Sequence, residues 1–443
     1  MSERKSGGRF VRDTMQVFGG QVAMTVIGVV TGVITARWLG PTDRGLFQLL
    51  TLAPVFLANF VKLGIPQANV YYMRRQNADP GDVATNSIWL ALVLGLLLMT
   101  VCWIERDWVS QHILKGAPPY LLMPVLAVTP FVLMQAYFLG IAQAQERVRE
   151  YNIQQIAPNV FSLVGMLVSL VLLHQGLIGA VLVQLGIVLF VSLWLVVRVH
   201  RHAPIHGRPK VALMKDMLSF GSKSYLQTLA ATLHLRIDQY MIAYFLSPEQ
   251  VGYYAIAVNL TNLLMRIPDA TGTVLFPRLA GASEVDAHRA TSRVCRHTLF
   301  LTVAGALVFL VGGPIGIPIL YGRAFAPAVT ALVILLPGVV MLSLYLILTR
   351  NFTSRGKQEI NVIAAALGLT LNVGTNWLLI PRFGIGGAAF SSFVSYGTAA
   401  TILLVAFVRE SGHGVRDTLV LRRNELDQIA KAAWKGGRAL AGS

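Results

Sequence analysis

The stretch LHLRIDQYMIAYFLSPEQVGYY, residues 233–254, decides how this chain is read. Apolar sequence flanks it on both sides, yet His234, Arg236 and Asp238 fall close together within it. Ionisable side chains are costly inside a bilayer and by default mark a functional site whose partner has to be found. That a bilayer is the solvent follows from composition: 55% of residues are hydrophobic, 13% are charged, and mean hydropathy is +0.61. A soluble domain carries about 25% charged residues. A chain this apolar cannot bury its side chains within itself.

Working outward, apolar runs recur at 15–37, 45–66, 83–104, 119–141, 155–173, 177–198, 217–246, 251–277, 297–320, 327–349, 359–380 and 385–408. A helix needs roughly 20 residues to cross a hydrocarbon core about 30 Å thick. The runs therefore predict an all-α membrane protein with twelve transmembrane helices joined by short connections. The opening residues, MSERKSGGRFVRD, are basic and polar, and no short cleavable apolar core follows, so no signal peptide is expected. With the N-terminus in the cytoplasm, most of the 37 Lys and Arg residues lie on the cytoplasmic side; Arg37, Arg44, Arg106, Lys115, Arg323 and Arg382 lie on the outer side. This bias obeys the positive-inside rule and puts both termini inside. It also explains the net charge of +17 without nucleic acid, since the basic residues face an anionic leaflet. Cys102 and Cys295 fall on opposite sides of the membrane and are expected to be apolar fillers.

The chain repeats itself. Ala36, Leu39, Pro41 and Gly45 recur as Ala243, Leu246, Pro248 and Gly252. Glu150 and Asn152 recur as Glu359 and Asn361, and Gly176, Gly179 and Ala180 as Gly384, Gly387 and Ala388, all about 208 residues on. Each copy holds an even number of spans, so both enter the membrane in the same direction. Two pseudo-symmetric six-helix lobes related by an axis along the membrane normal are expected. The boundaries read as a cytoplasmic segment 1–13, an N-terminal lobe 14–200, a linker 201–216, a C-terminal lobe 217–409 and a cytoplasmic tail 410–443. In the tail, Leu426, Ile429, Ala430, Ala433 and Trp434 share a helical face flanked by Arg and Lys. That pattern predicts a basic amphipathic helix on the inner surface, with a docking site for a cytoplasmic partner as the alternative.

Within the spans, Asn259, Asn262, Arg266 and Asp269 form one stripe, and Asn59 and Lys62 stand at the matching places in the first copy. Facing walls of one cavity would look like this; a local Arg266–Asp269 pair at i, i+3 that locks the helix to a neighbour is the alternative. Lys223, Gln227, Ala231, His234 and Asp238 lie within roughly 80° of arc at about 100° per residue. Arg236 points away from Asp238, because residues two apart do not face each other on a regular helix. Either each finds a partner elsewhere, or the helix is broken there. His234 can titrate near neutral pH or act as a helix contact. Lys62 and Lys223 can line a cavity or snorkel to the cytoplasmic surface. Gln21, Thr25, Gly28, Gly32 and Thr35 give the first span a face that permits close helix approach or a bend.

The segments L-G-P-x-D-R-G-x-F (Leu39 to Phe47), R-x-D (Arg236 to Asp238), V-G-Y-Y (Val251 to Tyr254) and L-F-P-R-L-A (Leu275 to Ala280) together resemble the polysaccharide flippase family. That family sits within the superfamily of multidrug, oligosaccharidyl-lipid and polysaccharide exporters. The resemblance covers the twelve spans and leaves out the tail. It implies two six-helix lobes around a central cavity. It also implies a flippase that moves undecaprenyl-diphosphate-linked oligosaccharide across the bacterial inner membrane by alternating access. Lipid II flippases are similar but usually carry fourteen spans, and the multidrug branch is similar in span count. An anionic lipid-linked oligosaccharide, membrane lipids, and a glycan polymerase and glycosyltransferases are the partners it implies.

On this reading Arg37, Arg236 and Arg266 hold the diphosphate, since guanidinium suits bidentate phosphate contact. Lys62 and Lys223 draw it in, and Asn59 and Asn262 line the path. His234, Asp238 and Asp269 are the candidates for coupling to a proton or sodium ion. No phosphate-cradling glycine loop, metal-spaced His/Cys set or nucleophile elbow occurs, so neither an ATP-driven pump nor an enzyme is expected.

Overall fold

Helices make up the chain from its first described residue to its last. A computed structural model describes residues 2–112, 114, 116–145, 148–280, 283–422 and 425. Helix α1 (Ser2–Val61) bends at Gly40, where φ is 71°, and so contains two spans. Then follow α2 (Ile65–Arg75), α3 (Pro80–Ile104), α4 (Arg106–His112), α5 (Pro119–Ala127), α6 (Thr129–Ala144), α7 (Val148–Met166) and α8 (Gly176–His200). The second half holds α9 (Val211–His234), α10 (Ile237–Phe245), α11 (Pro248–Ala280), α12 (Glu284–Tyr321), α13 (Ala328–Ser354), α14 (Gln358–Ser411) and α15 (Val415–Leu419). Among the described residues, 8 helices are long and apolar enough to cross a membrane. Helix α14 bends at Gly384 as α1 does at Gly40 and likewise holds two of the expected spans. The expected amphipathic helix around Leu426 and Trp434 lies outside the described residues.

Helix starts follow capping rules. The Asp79 side chain accepts from the Asp82 N–H at 3.0 Å, with Pro80 in the first turn of α3. Ser283 does the same for α12 through the Asp286 N–H at 3.2 Å.

The repeat is visible in the backbone. Gly176 and Gly384, matched in sequence, have φ of 61° and 57° and open equivalent helical runs. The two lobes also meet through matched residues. A methyl group placed on Gly45 would lie 1.6 Å from the Pro248 carbonyl oxygen, and one on Gly252 would lie 2.5 Å from that of Pro41. Residue i touches j while the copy of j touches the copy of i, so a pseudo-two-fold axis passes between Gly45 and Gly252. Only glycine permits backbones this close.

At this Gly45 end the lobes share one apolar core. Ile34, Leu46, Phe47 and Leu50 of α1 pack in the same cluster as Val251, Tyr254, Ile256, Tyr321 and Leu332. At the opposite, Gly64 end the core divides. One cluster joins α2, α3, α6 and α8 around Ile65, Ala84, Tyr137 and Val191, and another joins α11 to α14 around Leu275, Cys295, Leu348 and Phe407. Both Cys102 and Cys295 are buried free thiols among apolar side chains.

The bridge at the Gly64 end is α9. Its early turns belong to the first cluster, with Met217 buried in it and Phe220 stacked on Tyr71 at 4.1 Å. A methyl on Gly64 would come within 2.3 Å of the Gly221 carbonyl oxygen. Residues 201–210 are tied to α3: buried Asn86 bonds both the N–H and the C=O of Lys210, and Lys210 pairs with Asp82 at 2.9 Å. The segment expected as a linker thus becomes helix from Val211 and is fastened to the N-terminal half.

Candidate functional site

The charged stretch is broken, not a regular helix. Helix α9 ends at His234 and α10 begins at Ile237, with Arg236 at its N-cap in a non-helical conformation of φ −138°. The break gives the three ionisable residues different surroundings. Arg236 is exposed and makes no ion pair among the described residues. Asp238 is buried; its carboxylate accepts from the Tyr254 hydroxyl, from the Ser392 hydroxyl at 3.1 Å and from the Gln239 N–H at 2.8 Å. Every one of those donors is neutral. His234 is buried too, its Nδ1 3.2 Å from the Ser395 hydroxyl and its ring between Tyr345 and Tyr396. A methyl on Gly368 would lie 2.4 Å from the imidazole, so α14 is shaped around it. His234 here packs between α9 and α14.

Around this pair lies a buried polar layer on α14. Asn372, Asn376, Ser391, Ser392 and Ser395 are all fully enclosed. Asn376 donates to Asn372 at 2.6 Å. The Asn372 Nδ2, Asn376 Oδ1, Ser391 Oγ and His234 Nε2 atoms lack hydrogen-bond partners among the described residues. Buried polar atoms are ordinarily satisfied, so such a concentration marks a place where something else binds or moves.

The stripe on α11 behaves differently. Asn259, Asn262 and Arg266 are exposed and Asp269 is half-buried. Arg350 of α13 reaches Asp269 at 3.9 Å, and Arg266 bears on the same carboxylate. Arg350 is fitted in place: a methyl on Gly272 would lie 2.3 Å from its Nε. Two guanidiniums thus flank one carboxylate, leaving one positive charge in excess. Both members of the Asp269–Arg350 pair are more than a third exposed, and such pairs are worth only about 0–1 kcal/mol. The pair is weak enough to be exchanged for another anion.

The rest of the expected set is scattered. Asn59 and Lys62 stand together at the end of α1, 3.4 Å apart. Arg37 is exposed at the Gly45 end, where its guanidinium donates to the Leu320 carbonyl at 2.8 Å and to that of Ile319. It holds the end of α12 and does not join Arg236 and Arg266. The Lys223 side chain lies outside the described residues. On the first span, a methyl at Gly28 would meet nothing within 4 Å and one at Gly32 only Tyr321 at 4.0 Å, so the expected close approach does not occur there. Sequence reading missed Arg350, which it left with the basic residues of a connection. Arg44, expected on the outer side, is a buried guanidinium whose Nε has no partner among the described residues.

Comparison with known proteins places these features in a family. Residues 10–283 match the family described as polysaccharide biosynthesis protein. A probable low-salt glycan biosynthesis flippase of Haloferax volcanii, Agl15, is 22% identical over 372 residues, covering 82% of this chain and 75% of that one. A probable flippase of the same organism, AglR, is 23% identical over 413 residues, covering 90% and 83%. Among solved structures, the lipid II flippase MurJ in an inward closed conformation overlaps with a TM-score of 0.78 at 13% identity, covering 90% of each chain. An inward-facing multidrug resistance transporter of the MATE family overlaps with a TM-score of 0.70 at 16% identity, covering 88% of this chain and 94% of that one. The fold is therefore the two-lobed, all-helical architecture of that transporter superfamily.

Proposed function

The chain belongs to the polysaccharide biosynthesis protein family, and from that premise we propose that it flips undecaprenyl-diphosphate-linked oligosaccharide across a bacterial inner membrane. It is a multi-pass membrane transporter rather than an enzyme. On this reading twelve spans form two lobes, 14–200 and 217–409, with both termini cytoplasmic and the Gly45 end outside. A glycan polymerase and glycosyltransferases are the partners that would consume and supply such a substrate.

The observation that carries the reading is the Arg266–Asp269–Arg350 group on the unpacked stripe of α11. A diphosphate is dianionic or more, and guanidinium offers it paired donors. In the empty protein Asp269 screens the two arginines; the diphosphate displaces it and takes both. Asn259 and Asn262 continue the polar face toward the Gly45 end. Arg236, exposed at the break, is a further cation for the diphosphate, and Asn59, Lys62 and Lys223 attract it from the cytoplasmic side. Arg37 acts at the seam between lobes instead.

Asp238 suits ion coupling. A carboxylate buried among neutral donors keeps its charge at high cost, and a proton or sodium ion removes that cost. The unsatisfied oxygens of Asn376 and Ser391 on α14 support a bound ion in this layer.

The test is reconstitution of the full chain in vesicles carrying fluorescent lipid-linked oligosaccharide on one leaflet, together with gene deletion. Protein-dependent transfer and accumulation of unflipped lipid-linked glycan in the deletion strain are expected. Unchanged glycans with altered drug or dye efflux would replace this reading with the multidrug one.

A further inference from the structure

We propose that the seam between α1 and α10 is a binding trough for the polyisoprenoid chain of the lipid carrier, with Arg236 at its inner end to hold the attached phosphate. This rests on the flippase reading above and identifies where the apolar part of that substrate lies. A cavity of about 280 Å³ opens between the lobes there. One wall is the second span of α1, with Leu52, Ala53 and Phe56; the other is α10, with Tyr240, Ala243 and Tyr244. The lining is almost wholly apolar and aromatic.

Its two ends differ. Toward the Gly45 end the mouth is roofed by rings from both lobes: Trp108 stacks on His112 at 5.1 Å, His112 on Tyr244 at 5.8 Å and Tyr244 on Trp377 at 6.4 Å. Trp108, Tyr244 and Trp377 remain exposed. At the other end Phe56 and Tyr240 close together at 3.7 Å, and the Tyr240 hydroxyl is buried with no hydrogen-bond partner among the described residues. Arg236 lies one turn before Tyr240, and close enough to act on it electrostatically. Tyr240 and Tyr244, at i and i+4, share one face of α10, and Arg236 stands at the N-cap of that helix.

An exposed cation, a spare hydroxyl donor and about 9 Å of aromatic trough along 239–245, at 1.5 Å per residue, form an amphiphilic site. Its polar end matches a phosphate and its apolar end matches the chain that the phosphate carries. Flat rings facing the short side chains Ala53 and Ala243 leave a shallow slot. Trisubstituted double bonds with methyl branches fill such a slot against ring faces better than a flexible straight chain does. The occupant is therefore an isoprenoid and not an acyl lipid. Because the trough crosses the seam, a chain lying in it touches both lobes at once.

The experiment uses the full chain in lipid nanodiscs with a farnesyl phosphate bearing a diazirine on its terminal isoprene. Peptide mapping is expected to place adducts at 108–112, 240–245 or Trp377. Farnesyl phosphate should suppress them, with farnesol and dodecyl phosphate each at least about tenfold weaker, as loss of one charged contact or of fit implies. Arg236→Gln should weaken suppression by farnesyl phosphate about tenfold and leave farnesol unaffected. Ala53→Phe, which fills the slot, should remove the adducts. Equal suppression by dodecyl phosphate, or labelling spread over the lipid-facing helices, overturns the trough. Vesicle transfer of lipid-linked glycan is measured in parallel. Transfer that continues in Ala53→Phe sinks the trough and leaves the flippase reading standing, whereas no transfer by the unaltered chain sinks the flippase reading.

Discussion

At the scale of single residues, Arg350 is the sharpest test of the site. Arg350→Ala and Arg266→Ala are each expected to cut vesicle transfer by about tenfold or more, since each removes a charge-assisted contact to the diphosphate. Arg350→Lys should recover only part of that loss, because lysine is a point charge without the paired donors. Full transfer by both alanine variants at normal expression would remove the group from the substrate path. A second residue-scale outcome concerns pH. Buried Arg296 takes both oxygens of Glu425, at 2.6 and 2.9 Å, and donates to the Asp417 carbonyl. The Arg296 hydrogen bonds hold the Glu425 carboxyl down at about 2, against an unfolded value of roughly 4.3. A depressed acid contributes its full stabilisation above the unfolded value and loses it as pH falls toward the folded one. Docking of α15 should therefore be constant above about pH 4.3 and weaken between there and about pH 2. Hydrogen exchange at 415–422 follows this directly; protection unchanged down to pH 2 would discount the pair. How far residues were legible divides along the same line. Composition and helical spacing put Asn259, Asn262, Arg266 and Asp269 on one face without coordinates. They gave no means of seeing that parallel packing of α11 and α13 brings Arg350, near the far end of α13, level with Asp269. Nor do they say what a buried acid bonds to, so Asp238 was legible as unusual but its partners Tyr254 and Ser392 were not.

At the scale of elements, glycines decide how near the helices come. Gly64→Ala puts a methyl 2.3 Å from the Gly221 carbonyl, at a residue whose φ is +65°. Neither backbone can yield cheaply, and a loss of about 1–3 kcal/mol is expected. Gly28→Ala meets nothing within 4 Å and gains helix propensity of about 1 kcal/mol. Thermal unfolding in detergent should show the first variant lowered and the second level or raised. Equal shifts for both would mean that α2 and α9 are not in contact in the membrane. The repeat was readable beforehand because it is written in turns. Pro41 and Pro248, Gly45 and Gly252, and Gly176 and Gly384 carry local backbone requirements, and those survive when apolar side chains drift. The break at Leu235 and Arg236 was readable only as one of two alternatives. Both flanking segments keep helical periodicity, no Pro or Gly marks the junction, and the mismatch of Arg236 with Asp238 was its sole trace. The same limit applies to α9, whose early turns pack with the N-terminal half although the sequence groups them with the second.

At the scale of the whole molecule, the division of the core sets which end opens at lower cost. At the Gly45 end both lobes share one apolar cluster, so separation there exposes large side chains such as Phe47, Tyr254 and Tyr321. At the Gly64 end the α11–α14 core stands apart from the core around α2, α3, α6 and α8, and α9, whose early turns pack in the latter against α2, is the helix described as joining them. Apolar burial stabilises at about 25 cal/mol per Å², so breaking one helix contact costs less than dividing a shared core. On the proposed orientation and function, an inward opening at the Gly64 end would load substrate from the cytoplasmic side, while outward opening would need the free energy of a bound ligand or coupled ion. This makes the α2–α9 contact a gate. Tyr71 and Phe220 stack across it, so Tyr71→Cys with Phe220→Cys, in a chain whose Cys102 and Cys295 are replaced by alanine, can be joined by a short bis-methanethiosulfonate cross-linker. Joined protein should retain its fold, bind no lipid-linked glycan from the cytoplasmic leaflet and transfer none. Reductive cleavage should return transfer to the level of the untreated double variant, and each single-cysteine chain should be indifferent to the reagent. Transfer that persists with the cross-link complete would mean that the substrate enters elsewhere and that this seam stays shut throughout the cycle.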